Sequence, residues 1–220
     1  MKARKNPLLL ALLPLSALLP TLVAAQPIDA LWVGQLSGPA EMACILAVPG
    51  GAGPSLANAR TPTGAPIDAT VIATIVDSSW HAAANFYHGD IWLEFPAAAG
   101  TVRNCAFASR HFLVDVNTDA YGVTRVALPL QGAGWSAGPA VFKLNDNPAE
   151  TPNHYIWPAV LLQVNSPDIN GDRVVDLIDV ATFAGDYLGS FHMRSDLQRD
   201  GVLNLADIAL MAEHLGADCR

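Results

Sequence analysis

Apolar positions along this chain follow two different periods. Between residues 27 and 165 they alternate in short runs divided by turn residues. In DIWLEF (90–95), Ile91, Leu93 and Phe95 share one face, with Trp92 and Glu94 on the other. ATVIATIV (69–76) is rich in β-branched residues, which pack well on a pleated surface. LWVGQL (31–36), MACILAV (42–48), HFLVDV (111–116), VTRVALPL (123–130), AVFKL (140–144) and PAVLLQV (158–164) complete a series of about eight strands. Asp119 and Gly122 supply turn chemistry between HFLVDV and VTRVALPL, so these two read as a hairpin. Pro/Gly-rich stretches such as PGGAGPSLANARTPTGAP (49–66) lie between strands, and no segment has convincing helical spacing. Short strands with frequent turn signals predict two antiparallel sheets packed face to face, a β sandwich over residues 26–165.

Past residue 166 the period changes and the chain repeats itself. Asp168, Asp172, Val174, Leu177, Asp179, Ala181 and Ala184 recur 28 residues on as Asp196, Asp200, Val202, Leu205, Asp207, Ala209 and Ala212. Each copy carries oxygen-bearing residues at the spacing of a twelve-residue calcium loop, which draws ligands from positions 1, 3, 5, 7, 9 and 12. In the first copy these are Asp168, Asn170, Asp172, Val174 (by its backbone carbonyl), Asp176 and Asp179. In the second they are Asp196, Gln198, Asp200, Val202 (by its carbonyl), Asn204 and Asp207. Two Ca²⁺ sites are expected. The twelfth carboxylate falls in a helix's first turn, where negative charge is favoured. At position 8, Val175 and Leu203 are expected to pack against each other. Leu177, Val180, Ala184 and Leu188 then follow at helical spacing, and Leu205, Ile208, Ala212 and Leu215 repeat the stripe. Gly189 and Gly216 stand where helix C-caps belong. Two helices with acidic first turns would explain one carboxylate per helix, but not a ladder of spaced oxygens twice over. Four carboxylates crowded into the first loop would repel one another without a cation, so metal binding and folding should be coupled.

Charge and termini narrow the setting. Lys2, Arg4 and Lys5 precede PLLLALLPLSALLPTLVAA, which ends in small residues: the layout of a secretory signal peptide over residues 1–25, cleaved after Ala25. An uncleaved anchor is the rival reading, but Pro14 and Pro20 interrupt the run. No membrane span is expected after cleavage. Removing the three basic residues takes the formal charge from −8 to −11. Nucleic acid is excluded as a partner, since phosphate binding needs basic patches; a cation fits well. In an oxidising compartment a disulfide is expected. Cys44 and Cys105 both lie in the β region and are the favoured pair, leaving Cys219 over.

Two resemblances follow from these residues. The stretch from TIVDSS through DIWLEF to VNTDAYGVTRVALPL is similar to bacterial immunoglobulin-like domains of the invasin type, with Thr118, Asp119, Ala120 and Gly122 matching their TDA-x-G turn. Residues 167–217 resemble the type I dockerin module, a duplicated EF-hand-like loop, each copy followed by one helix, with Asp at position 12. That resemblance implies a small all-α, calcium-dependent module at 166–220 that docks into a cohesin-like or other extracellular protein. It differs from the dockerin pattern at Arg173 (usually Gly), at Gln198 (usually Asn or Asp), and at Leu177–Ile178 and Leu205–Ala206, where cellulosomal dockerins carry a Ser/Thr contact pair.

No G-x-S-x-G or H-E-x-x-H motif is present, and His81, His88 and Asp90 lack a nucleophile in any known arrangement. The expected role is non-catalytic: extracellular adhesion or assembly by calcium-dependent docking. The alternative is a component of polysaccharide catabolism that binds glycans or hydrolyses O-glycosyl bonds, with Trp80, Trp92, Trp135 and Trp157 as a sugar platform. A third possibility is a tail that staples the end of the β region and has no partner. Ile178 and Phe183 discriminate: exposed, they support docking; packed on the β region, they support the staple.

Overall fold

The structure, a computed structural model, describes residues 31–145, 147–148 and 159–220. The predicted signal segment, His154 and Trp157 lie outside them. All eight predicted strands form: β1 (Leu31–Ser37), β2 (Ala43–Leu46), β3 (Val71–Asp77), β4 (Ile91–Glu94), β5 (His111–Leu113), β6 (Val123–Val126), β7 (Val141–Leu144) and β8 (Leu162–Asn165). Two helices follow, α1 (Leu177–Leu188) and α2 (Leu205–Glu213). The described residues are thus β-rich, with their two α-helices at the end of the chain.

The strands divide among several sheets. β1, β3 and β6 form one antiparallel sheet in the order β1-β3-β6. β7, β4 and β5 form a second, extended by the two-residue strand Asn147–Pro148. In a third, β8 runs parallel to β2, and the short strands Ala59–Arg60 and Pro66–Ile67 continue the edge. Gly132–Ala133 pairs with Arg103–Asn104 in a small ribbon. Ile91, Leu93 and Phe95 all point into one core with Val33, Ile45, Ile75 and Leu162. The alternation in DIWLEF therefore reads the pleat correctly.

The expected hairpin is instead a crossing between sheets. β5 pairs with β4 and β6 with β3, so the chain changes sheet across residues 114–122. Asp115 holds the corner: its N–H donates to Arg125 O at 2.8 Å, and its Oδ2 accepts from Ala127 N at 2.8 Å and Leu128 N at 3.2 Å. The TDA-x-G turn has a local cause. Asp119 Oδ1 accepts from Tyr121 N and Val123 N, at 2.8 and 2.9 Å. Gly122 has φ +74°, and a Cβ there would stand 2.3 Å from Ile75 O. Only glycine fits.

A second, smaller core joins the two regions of different period. Leu46, Val48 and the partly buried Trp135 meet Ile169, Val175, Phe183, Leu197 and Met211. Arg199 Nη1 donates to Cys44 O at 3.2 Å, and Asn165 Nδ2 donates to Met193 O and to Asp196 O. The disulfide departs from expectation: Cys105 bonds to Cys219, not to Cys44. The C-terminal segment returns to the Cys105 loop. Cys44 stays free inside the sheet, where its thiol donates to Gln163 Oε1 at 3.2 Å and burial pushes it up to about 11.

Candidate metal centre in two repeated loops

Each loop leads straight into a helix. Asp176 and Asn204 are the N-caps of α1 and α2, and their side chains accept from Ile178 N and Ala206 N, both at 2.7 Å. Asp179 and Asp207 reach back from the third helical position to complete a capping box at each end. The twelfth residue of the loop pattern is therefore fixed twice, once by the helix and once by the loop.

The hydrogen bonds repeat at the 28-residue offset. Asp179 Oδ1 accepts from Asn170 N at 3.0 Å and Asp207 Oδ1 from Gln198 N at 2.8 Å. Asp179 Oδ2 accepts from Asp176 N and Asp207 Oδ2 from Asn204 N, both at 2.9 Å. Asp168 Oδ2 accepts from Arg173 N at 2.6 Å and Asp196 Oδ2 from Gly201 N at 2.8 Å. Asp172 Oδ1 and Asp200 Oδ1 accept from Val174 N and Val202 N at 3.1 and 3.0 Å. A carboxylate oxygen can accept more than one hydrogen bond, so each keeps acceptor capacity beyond these bonds.

The backbone also repeats, with one exchange. Positions 4 and 6 are left-handed in both loops: Gly171 and Arg173 in the first, Arg199 and Gly201 in the second, with φ between +58° and +82°. The glycine sits where the loop touches the β region. A Cβ on Gly171 would stand 3.1 Å from Thr101 O, and one on Gly201 3.1 Å from Pro62 O. Arginine takes the other left-handed position in each loop.

Asp168, Asp179, Asp196 and Asp207 are all buried. Burial raises the pKa of each above the usual carboxylate range, and pushes Asp168 up to about 6, with Asp179 and Asp172 acting in the same direction. Backbone N–H donors oppose the rise without cancelling it. Among the described residues, no Lys, Arg or His lies within ion-pairing distance of any of the four. Gln198 Oε1, the position-3 oxygen of the second loop, is buried with no hydrogen-bond partner. Buried carboxylates without a close ion pair, with only Arg199 acting at longer range on Asp196, and an orphaned amide oxygen in the second loop fit a cation held by mixed oxygen ligands. Among the described residues no group of three or more His, Cys, Asp or Glu side chains could hold a metal. By position in the sequence each loop carries carboxylates at 1, 5 and 12, an amide at 3 and a backbone carbonyl at 7, the hard-oxygen residue types that calcium takes, although their side chains are not gathered into a three-carboxylate cluster in this structure.

Several expectations change here. Val175 is buried, but its backbone pairs with the C-terminal segment rather than with the second loop: Val175 N donates to Ala217 O at 2.9 Å, and Gly216 N to Val175 O at 2.8 Å. Most of the helical stripe faces solvent, while Val180 packs against the second core. Leu177 is 75% exposed, Leu205 73% and Ile178 58%, and Leu188, Ile208 and Leu215 are exposed too. The inward face carries Asp179, Phe183, Asp186, Asp207 and Met211. Ile178 and Phe183 thus split, one outward and one in the shared core. Gly189 does cap α1, whereas α2 ends at His214, with Gly216 starting the return. Pattern reading missed the link between the loops: Asp186 accepts from Arg194 Nε and Nη2, both at 2.7 Å, and from Ser195 Oγ at 2.6 Å. Its sequence signal was faint, a polar residue on an otherwise apolar helix.

The histidines and tryptophans of the β region are dispersed. His81 pairs with Asp77 and His111 with Glu94, each at 3.4 Å. Trp92 stacks on His111, Trp135 packs in the second core, and Trp80 is exposed. No protein-family model, no curated protein and no solved structure matches this chain. Among the described residues, no helix is long and apolar enough to cross a membrane.

Proposed function

We infer that this chain is a secreted, non-catalytic calcium-binding protein: an immunoglobulin-like sandwich closed by a dockerin-like module that mediates extracellular adhesion or assembly. One calcium is held by Asp168, Asn170, Asp172, Val174, Asp176 and Asp179, the other by Asp196, Gln198, Asp200, Val202, Asn204 and Asp207. The observation that carries this reading is the hydrogen-bond scaffold repeated around four buried carboxylates, none of which forms an ion pair among the described residues. The metal supplies the missing charge, while the chain's N–H groups hold the carboxylates in place.

The outward stripe supports docking. Leu177, Ile178 and Leu205 stand on the first turns of the two helices, next to the loops, so a partner that covers them senses whether the loops are ordered. Phe183 and the shared core add a second, structural role: the same loops brace the end of the β region. Thermal unfolding of the chain from residue 26 tests the calcium reading. The midpoint should rise by several degrees from excess chelator to millimolar calcium, and less in Asp179→Ala or Asp207→Ala. An unchanged midpoint in the parent chain would sink it.

A further inference from the structure

We propose that the Cys105–Cys219 disulfide sets the calcium affinity of the first loop and leaves that of the second unchanged. The proposal deepens the calcium reading and rests on it. Residues 216–219 form the back wall of the first loop. Gly216 N donates to Val175 O, Val175 N donates to Ala217 O, and Cys219 N donates to Arg173 O at 3.1 Å. Val174 bridges Asp218 between them. These contacts span positions 6, 7 and 8, and so fix the Val174 carbonyl proposed as the position-7 ligand.

The other end of the disulfide is tied to the opposite wall. Cys105 N donates to Gln131 O at 3.1 Å, and Arg103–Asn104 pairs with Gly132–Ala133. The next residue, Gly134, donates its N–H to Asp168 O at 2.6 Å, at position 1. One covalent link therefore closes a ring around the first loop: Cys105, the 131–134 ribbon, Asp168, the loop itself, and 216–219. The second loop is braced otherwise, by Arg199 on Cys44 O and by Gly201 near Pro62 O, neither of which involves the disulfide. Calcium needs its ligands held in one geometry, so loosening one wall should weaken one site.

A small dithiol opens the ring. It gives two electrons and two protons to the Sγ–Sγ bond, leaving two thiols, and closes to its own disulfide. Because coupling between sites is reciprocal, calcium in the first loop must make the disulfide harder to reduce by the same factor that the disulfide improves calcium binding.

Calcium affinity is measured on the full chain in two backgrounds. Asp207→Ala leaves the first loop and Asp179→Ala leaves the second, each with and without Cys105→Ser/Cys219→Ser. The expected result is affinity about tenfold weaker in the first loop and unchanged in the second. Equal change at both sites, or none at either, overturns the proposal while the calcium reading stands. No calcium binding by the oxidised parent chain defeats both. Should the serine variants not fold, the dithiol concentration that half-reduces the Asp207→Ala chain decides: it rises about tenfold with saturating calcium, and an unchanged value overturns the proposal.

Discussion

Arg173 and Arg199 both adopt left-handed backbone, a conformation that costs a residue with a Cβ about 1 kcal/mol. They are not equivalent. The Arg199 side chain is buried and bonds Cys44 O, whereas Arg173 has no such contact to lose. Arg173→Gly should therefore stabilise the chain by about 0.5–1 kcal/mol, measured by denaturant unfolding in chelator; Arg199→Gly should destabilise it. Gly122→Ala should cost about 2 kcal/mol or more, from the combined backbone strain and clash with Ile75 O. The sequence marked position 6 as anomalous in the first loop. It also offered Gly171 at position 4 as the compensating glycine, but not the reason for it: the loop backbone there lies against Thr101 O.

The starts of the helices and the end of α1 were legible, because an oxygen-bearing cap and a carboxylate three residues later make a strong local signal and Gly189 closes α1; α2 stops at His214, short of Gly216. The orientation of the helices was not legible. Hydrophobic spacing marks a stripe but not its direction, and the stripe of Leu177, Leu188, Leu205 and Leu215 points outward. What buries α1 is Phe183 between two carboxylates, with Val180 packed beside it, and each carboxylate is satisfied by partners distant in sequence or by backbone. Asp186 is one of these. The Arg194 side chain, with burial opposing, holds its carboxyl below the usual range. Its contribution to stability is therefore full above about pH 4, the ordinary carboxylate value, and is lost as pH falls through the lowered folded value. Asp186→Asn should be less stable than the parent by about 2 kcal/mol near neutrality. That difference should vanish in strong acid, read from chelator-treated samples unfolded across the acid range. A gap that persists in strong acid would show that the ion pair is not its source.

On the scale of the molecule, the period change near residue 166 marks a change of architecture but not a gap between independent bodies. Leu46, Val48 and Trp135 pack with residues from both loops and both helices, and a disulfide spanning 114 residues fastens the end. Pairing Cys44 with Cys105 followed sequence proximity. The fold brings Cys219 back instead, because Val175 pairs with the returning segment. Removing the disulfide should lower stability by about 3–5 kcal/mol, as expected for so long a closed loop. The two regions should then still unfold in one transition, since they share a core; separate transitions in calorimetry would contradict that.

The strands, loops and cap residues were readable because each obeys a local rule. The sheet pairings, the parallel β2–β8 contact and the disulfide were not, since they depend on where distant segments meet. Calcium counting by native mass spectrometry bears on the whole account most directly. The chain from residue 26 should carry two calcium ions, Asp179→Ala one and Asp207→Ala one, with none after chelation. A folded parent chain that carries no calcium at millimolar concentration would contradict the account at its root.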